Sequence, residues 1–283
     1  MGWTAWESAT GDGLDNFSDV NYDKKYQLEL GGGVARIAIN RPQKYNAFSM
    51  QTCDELFRAF YDASHDPMIG AIVLTGEGDH FGTGGDVEWE QWGLREMFYW
   101  RYGPNRIVRL SRKPVIAAIK GYCIGGHHHL AYCCDLSIAA DNAIFGQNGP
   151  RVSSPADGYI MPLLARVVGA KRAREMWMLC RRYSASEALS MGLVNRVVPL
   201  ERLYDEVDRW CDDLLKASPA CLEILKASFD WELDTMPQFG LISAELYPDW
   251  FESKEGREGS AAFLEKRKPD YWKIRAESAG AHE

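Results

Sequence analysis

The chain has 283 residues, of which 46% are hydrophobic and 25% charged, with a formal net charge of −8. That length suits one large domain with extensions or two small ones, and it can bury a core without staples. No apolar run approaches the roughly 18 residues of a membrane span, the acidic balance argues against general nucleic-acid binding, and Met1 to Asp23 lacks the basic-then-apolar pattern of a secretory leader.

Residues 1–25 are polar and rich in Gly and Asp, and read as an N-terminal extension, partly ordered at best. Val34 to Ile39 follows a glycine triplet and reads as a strand, broken by Arg41-Pro42. Cys53, Leu56, Phe57, Phe60 and Tyr61 recur at helical spacing and predict a helix over 50–63. Ile69 to Thr75, Val115 to Ile119 and Leu136 to Ala140 are short apolar runs that read as buried strands. Residues 95–111 and Gly125 to Cys134 read as helices between them. This alternation predicts an α/β core over 26–200. A short strand near Val194 to Val198 is the last strand signal. Residues 201–283 read as a helical region, with segments at 219–232, 238–248 and 255–266. The seven cysteines, an odd number with no CxxC pair, read as small buried hydrophobes in a reducing cytoplasm rather than as a zinc site.

Two glycine-rich turns stand out for chemistry. The first runs from Phe81 to Asp86 (FGTGGD) and the second from Gly121 to His129 (GYCIGGHHH). Each follows a predicted strand, and the second opens a helix. Glycine lets backbone approach a ligand closely, and two exposed N–H groups can hold a developing oxyanion, helped by a helix N-terminus. Either turn alone reads as a tight turn without a ligand. Neither has the spacing of a dinucleotide or phosphate loop. Consecutive helix positions point about 100° apart, so His127, His128 and His129 cannot all ligate one metal; no metal site is expected.

With NRPQKYNAF at 40–48, GAIVLTGEGDHFGTGGD at 70–86, KPVIAAIKGYCIGG at 113–126 and CDLSIAADNAIFGQNGP at 134–150, the chain resembles the crotonase (enoyl-CoA hydratase/isomerase) superfamily over about residues 25–272. The phrases FGQNGP, ARVVG and EKRKPD look most like naphthoate synthase and 2-ketocyclohexanecarboxyl-CoA hydrolase. The resemblance implies a ββα spiral core with a helical C-terminal trimerisation region, assembled as a homotrimer or homohexamer. It implies a CoA thioester carried as part of the substrate, with no separate cofactor. It places an oxyanion hole at the N–H groups of Gly85 and Gly126. Lys44, Ala47, Gly84 and Asp86 are expected to meet CoA, and Tyr271 and Lys273 to reach a neighbouring subunit's nucleotide.

Departures from the family pattern carry information. The two glutamates with which ordinary enoyl-CoA hydratases activate water align with His129 and Gly149. The relatives' Ser-x-Asp is represented by Ser154, with Ala156 at the aspartate position and Asp157 one place later. The relatives' C-terminal tyrosine aligns with Phe251, with Tyr247 nearby; Asn148 replaces a loop threonine, while Gln147 and Trp177 match. Neutral His129 or Asp157 is the expected base. Trp89, Trp92, Tyr99 and Trp100 offer walls for a ring-sized pocket. The expected reaction is hydrolysis of a C–C bond in a cyclic β-oxoacyl-CoA, with Ser154 holding the ketone or tetrahedral oxygen. Ring closure, hydration of a cyclic enoyl- or dienoyl-CoA, and a non-catalytic acyl-CoA-binding scaffold are the alternatives.

Overall fold

A computed structural model describes residues 2–11, 13–88, 103–236, 241–248 and 250–280. The strands are β1 (Glu7–Ser8), β2 (Val20–Tyr26), β3 (Gly33–Ile39), β4 (Ile69–Gly76), β5 (Val115–Ile119), β6 (Tyr122–Ile124), β7 (Leu136–Ala140), β8 (Ile144–Gly146), β9 (Arg182–Ser184) and β10 (Arg196–Val198). Seven of them form a sheet in the order β1-β2-β3-β4-β5-β7-β10, and β6-β8-β9 form a second, small sheet. From β3 through β10 the large sheet is parallel, while β1, β2 and β3 pair antiparallel.

The parallel strands are near-continuous apolar runs because both of their faces are covered. In β5, Val115, Ala117 and Ile119 join one hydrophobic cluster, and Ile116 and Ala118 join the other. The first cluster includes Leu56, Ala59 and Phe60 of helix α1 (Met50–His65) and Leu130. Ser49 caps α1 in a reciprocal capping box with Thr52. The second cluster closes against Leu203, Val207 and Cys211 of the helix Leu203–Leu215.

The first 25 residues are more ordered than their composition suggests. Strand β2 pairs with β3 along its full length, and Trp3 bridges to Gln27. Charge holds this edge in place. Arg36 binds Asp23 at 2.6 Å, and Lys25 binds Asp208 at 2.6 Å while lying over the Trp3 and Trp6 rings at 4.6 and 4.4 Å. The partners lie far along the chain, so no local apolar period marks the strand. The three-residue strands of the small sheet also escape a periodicity reading. They matter most, since β6 ends at the second glycine turn and β8 runs straight into Gln147. Beyond β10 the described regular structure is helical, as expected. Of the expected helix 95–111 the described part is Pro104–Leu110; Trp89, Trp92, Tyr99, Trp100 and the Phe251 side chain lie outside the described residues. Among the cysteines only Cys221 is exposed and Cys134 half-buried, the other five being buried.

Leu203 is fully buried under the sheet. Leu203→Ala should lower unfolding free energy by about 2–5 kcal/mol, the usual loss for a buried leucine. Denaturant titration checks this. A loss well under 1 kcal/mol would contradict the second core.

Candidate active site

The site begins at the loop after β3. Asn46 sits in a left-handed conformation at φ 58° and is fully buried. Its side chain accepts from the Arg41 N–H at 2.9 Å and donates to the carbonyls of Glu77 (2.9 Å) and His80 (2.7 Å). These bonds lock the loop and aim Phe48 at the first glycine turn. The Phe48 N–H donates to the Gly84 carbonyl and the Asp86 N–H to the Phe48 carbonyl, both at 2.9 Å. The turn is fastened on its other side to β6, through Gly82 N–H to Tyr122 O (2.8 Å) and Ile124 N–H to Gly82 O (2.9 Å). The two glycine turns, 40 positions apart in the chain, are thus stitched together by main-chain bonds.

Gly125 caps the helix Gly126–Cys133 at φ 59° and ψ −127°, a conformation that disfavours any side chain. A Cβ on Gly126 would lie 2.6 Å from the Phe48 ring. A Cβ on Gly84 would lie 3.1 Å from the Gly126 nitrogen, which shows how closely the turns approach. Neither the Gly85 nor the Gly126 N–H makes a backbone hydrogen bond among the described residues. Gly126 opens its helix, where an N–H has no intrahelical acceptor. Both glycines line one cavity of about 710 Å³. Lys44, Ala47, Gly84, Asp86, His129, Gln147, Gly149, Ser154, Trp177 and Arg182 line it too.

The carboxylates at the cavity are paired with basic side chains. Asp86 binds Arg41 at 3.0 Å and Lys44 at 3.1 Å. Burial pushes the Asp86 carboxyl up, but the bonds from Lys44 and Arg41 outweigh it and hold the group below the usual carboxylate range. Lys44 also binds Glu88 at 2.8 Å, and these bonds raise its ammonium above the ordinary value. Among the described residues, the carboxylates lining the cavity are Asp86 and Glu88, and both face Lys44.

The three histidines diverge, as their spacing requires. His127 Nδ1 accepts the Gly84 N–H at 2.9 Å, so this imidazole braces the first turn. His128 Nδ1 meets Gln147 Nε2 at 2.7 Å, and His129 Nε2 meets Gln147 Oε1 at 3.2 Å. The His129 ring lies 5.1 Å from that of Trp177. Burial pulls all three imidazoles down from 6.5, to about 3, about 3 and about 4; the Gln147 bond partly offsets the fall at His129. Each is neutral at pH 7. Among the described residues no group of three or more His, Cys, Asp or Glu side chains is placed to hold a metal ion.

The structure therefore brings Gly84, Gly85, Asp86, Gly126, His129, Lys44, Ala47 and Ser154 to one cavity. It places other expected site residues elsewhere. Asp157 is buried and does not line the cavity; its Oδ2 accepts the Ser243 N–H. Its carboxylate faces the helix Leu241–Leu246 instead. Tyr271 donates to the Arg151 carbonyl at 3.1 Å and meets Ser153 Oγ at 3.2 Å within the same chain. It lines a neighbouring cavity of about 920 Å³, while Lys273 is exposed and lines neither. The sequence reading missed Arg41, and it missed Arg182, whose Nη1 donates to the Gln147 carbonyl at 2.6 Å. It noted Gln147 without seeing its place between two histidines. No periodicity signals such contacts, since Arg41 and Gln147 lie in irregular loops and Arg182 opens the three-residue strand β9.

Comparison with known proteins bears on the family and the fold. The family model for enoyl-CoA hydratase/isomerase matches residues 29–274. Among solved structures, the chain is similar to an enoyl-CoA hydratase/carnithine racemase from Magnetospirillum magneticum, at 30% identity over 90% of this chain and 96% of that one, with TM-score 0.70. An enoyl-CoA hydratase/isomerase from Xanthobacter autotrophicus Py2 shares 27% identity over 90% and 100% of the chains, with TM-score 0.69. A methylmalonyl-CoA decarboxylase in complex with 2-nitronate-propionyl-CoA shares 25% over 90% and 98%, with TM-score 0.77.

Burying three neutral imidazoles has a consequence for stability. The unfolded chain takes up protons on them below about pH 6.5, while the folded chain does not until about pH 4 or 3. Stability from this source is complete above about pH 7 and falls as pH drops from 6.5, by up to about 1.4 kcal/mol per pH unit for each histidine. Urea midpoints measured between pH 8 and 4.5 should show this fall. His128→Phe, with one such imidazole fewer, should show a shallower one; equal slopes would contradict burial of neutral His128.

Proposed function

The chain belongs to the enoyl-CoA hydratase/isomerase family, and from that premise we propose that it hydrolyses a carbon–carbon bond in a cyclic β-oxoacyl-CoA by way of a thioester enolate. The observation that carries this reading is a single cavity holding one neutral imidazole and two glycine N–H groups that, among the described residues, have no main-chain acceptor. The Gly85 and Gly126 N–H groups donate hydrogen bonds to the thioester oxygen, and they bind it more strongly as it gains enolate charge. His129 takes a proton from water, and hydroxide adds to the ring ketone. The ring C–C bond then breaks. Its electron pair goes to the thioester enolate, the former ketone becomes a carboxylic acid, and the α-carbon is protonated. The product is a dicarboxylic acid mono-CoA thioester, and one water is consumed. Ser154 holds the ketone or the tetrahedral oxygen.

Three features favour this over routine hydration. Both positions that align with the hydratase glutamates, His129 and Gly149, line the cavity, and neither carries a carboxylate. The carboxylates present are tied to Lys44. The phrases shared with naphthoate synthase and ketocyclohexanecarboxyl-CoA hydrolase supply the class of substrate. CoA then enters as part of the substrate, its path along Lys44, Ala47, Gly84 and Asp86. Exposed Lys273 is free to meet the nucleotide of a neighbouring copy in a trimer or hexamer.

A second reading is decarboxylation of a β-carboxy thioester. It is favoured by the similarity to methylmalonyl-CoA decarboxylase and by the weak basicity of His129. Loss of CO2 yields the same enolate without a base. Turnover of cyclic β-oxoacyl-CoA esters in ¹⁸O-water separates the two. Hydrolysis adds one water to the mass and places one ¹⁸O in the new carboxylate. An unchanged cyclic ester, with CO2 released from a β-carboxy thioester instead, would replace the first reading by the second.

The donors and the base have separate tests. Gly126→Ala and Gly126→Pro add the same Cβ near Phe48, but only proline removes the N–H. Proline is tolerated at the first helical position. Turnover by the proline variant should lie roughly 10²–10³ below that of the alanine variant. Equal rates in the two folded variants would remove Gly126 from the oxyanion hole. His129→Ala should cost about 10²–10⁴-fold in turnover with little change in binding, and the cost of Asp157→Asn should be far smaller. The opposite order would transfer the base role to Asp157.

A further inference from the structure

We propose that Gln147, oriented by His128, fixes which nitrogen of His129 carries the proton, so that His129 Nδ1 presents a lone pair to the cavity. This rests on the reading of His129 as the base. It assigns a positioning role to two residues that touch no substrate in that mechanism's chemical steps.

The geometry follows from the helix and the small sheet together. His128 and His129 are successive positions on the helix Gly126–Cys133 and diverge by about 100°. Gln147 follows β8, is fully buried, and inserts its side chain between the two rings. Its main chain is held by the Arg182 guanidinium at 2.6 Å. The Trp177 ring lies 5.1 Å from the His129 ring at 35°, which leaves that ring little room to turn.

A side-chain amide has an acceptor at one end and donors at the other. The two histidines that flank it cannot choose their tautomers independently. With Oε1 toward His129, the His129 Nε2–H donates and Nδ1 is left bare. With Nε2 toward His128, the His128 Nδ1 accepts and its proton sits on Nε2. That atom is buried and makes no hydrogen bond among the described residues, and its ring stands perpendicular to Tyr132 at 5.2 Å. Reversal of the amide would reverse both tautomers. His129 would then offer an N–H to the cavity and act as an acid rather than a base. His129 Nδ1 has no partner among the described residues, and among them the Gln147 amide alone bonds the ring. The Gln147–His128 pair is the device that selects the base.

The test is long-range ¹H–¹⁵N correlation spectroscopy on the full chain labelled with ring-¹⁵N histidine, at neutral pH, with a His129→Gln spectrum to identify the signals. In the unaltered chain His129 should be protonated at Nε2 and bare at Nδ1. Gln147→Leu should give a mixture of the two tautomers and a fall in kcat of roughly 10–100-fold, the size usual for partners that orient a functional imidazole, with KM little changed. His128→Phe removes the other end of the relay and should also mix the His129 tautomers, which keeps the test available if Gln147→Leu fails to fold. A proton on His129 Nδ1 in the unaltered chain, or a tautomer unmoved by both substitutions, would overturn the assignment. The spectrum does not depend on turnover. If the tautomer is as assigned and His129→Ala keeps full activity, the base reading fails and the assignment of the proton stands.

Discussion

The site depends on a short main-chain ladder. Phe48 lies against Gly84, Gly85 and Asp86, and Gly82 lies against Tyr122, Cys123 and Ile124. These bonds fasten the two turns together and, among the described residues, leave the Gly85 and Gly126 N–H groups without a main-chain acceptor. Both groups open on one cavity, where they can donate to a ligand oxygen. The absent side chains are part of the same constraint. The Phe48 ring fills the space a Cβ on Gly126 would need.

A second constraint is the neutrality of the interior beside those donors. Three consecutive histidines are buried on one helix, where burial and the positive helix N-terminus both disfavour imidazolium. His127 braces the first turn and His128 orients Gln147, which leaves His129 as the imidazole facing the cavity. The carboxylates nearby are neutralised by Arg41 and Lys44. An enolate therefore meets donors and a neutral base rather than a like charge.

How far the sequence could carry this account varies by element. Val115–Ile119 and Leu136–Ala140 were legible to the residue, because strands buried on both faces leave unbroken apolar runs. Helix Met50–His65 was legible from its 3.6 period, and both glycine turns from composition. The resemblance supplied the pairing of Gly85 with Gly126, which spacing alone left open. Val20–Tyr26 was not legible, since its charges find partners such as Asp62, Asp66 and Asp208 far along the chain. The small sheet was missed because three residues are too few to show a period. The turn of Asp157 toward Ser243 and the insertion of Gln147 between two histidines depend on loop geometry, which no local pattern encodes.

The central claim is that the Gly85 and Gly126 N–H groups hold the thioester oxygen. Infrared difference spectroscopy of a cyclic acyl-CoA analogue carrying a ¹³C-labelled thioester carbonyl reads that bond directly. Donation by both groups weakens the C=O bond, so the labelled band should move to lower frequency on binding, and the shift should be smaller with Gly126→Pro than with Gly126→Ala. A bound analogue whose carbonyl band stays at its solution frequency, or the same shift in both variants, would contradict the account.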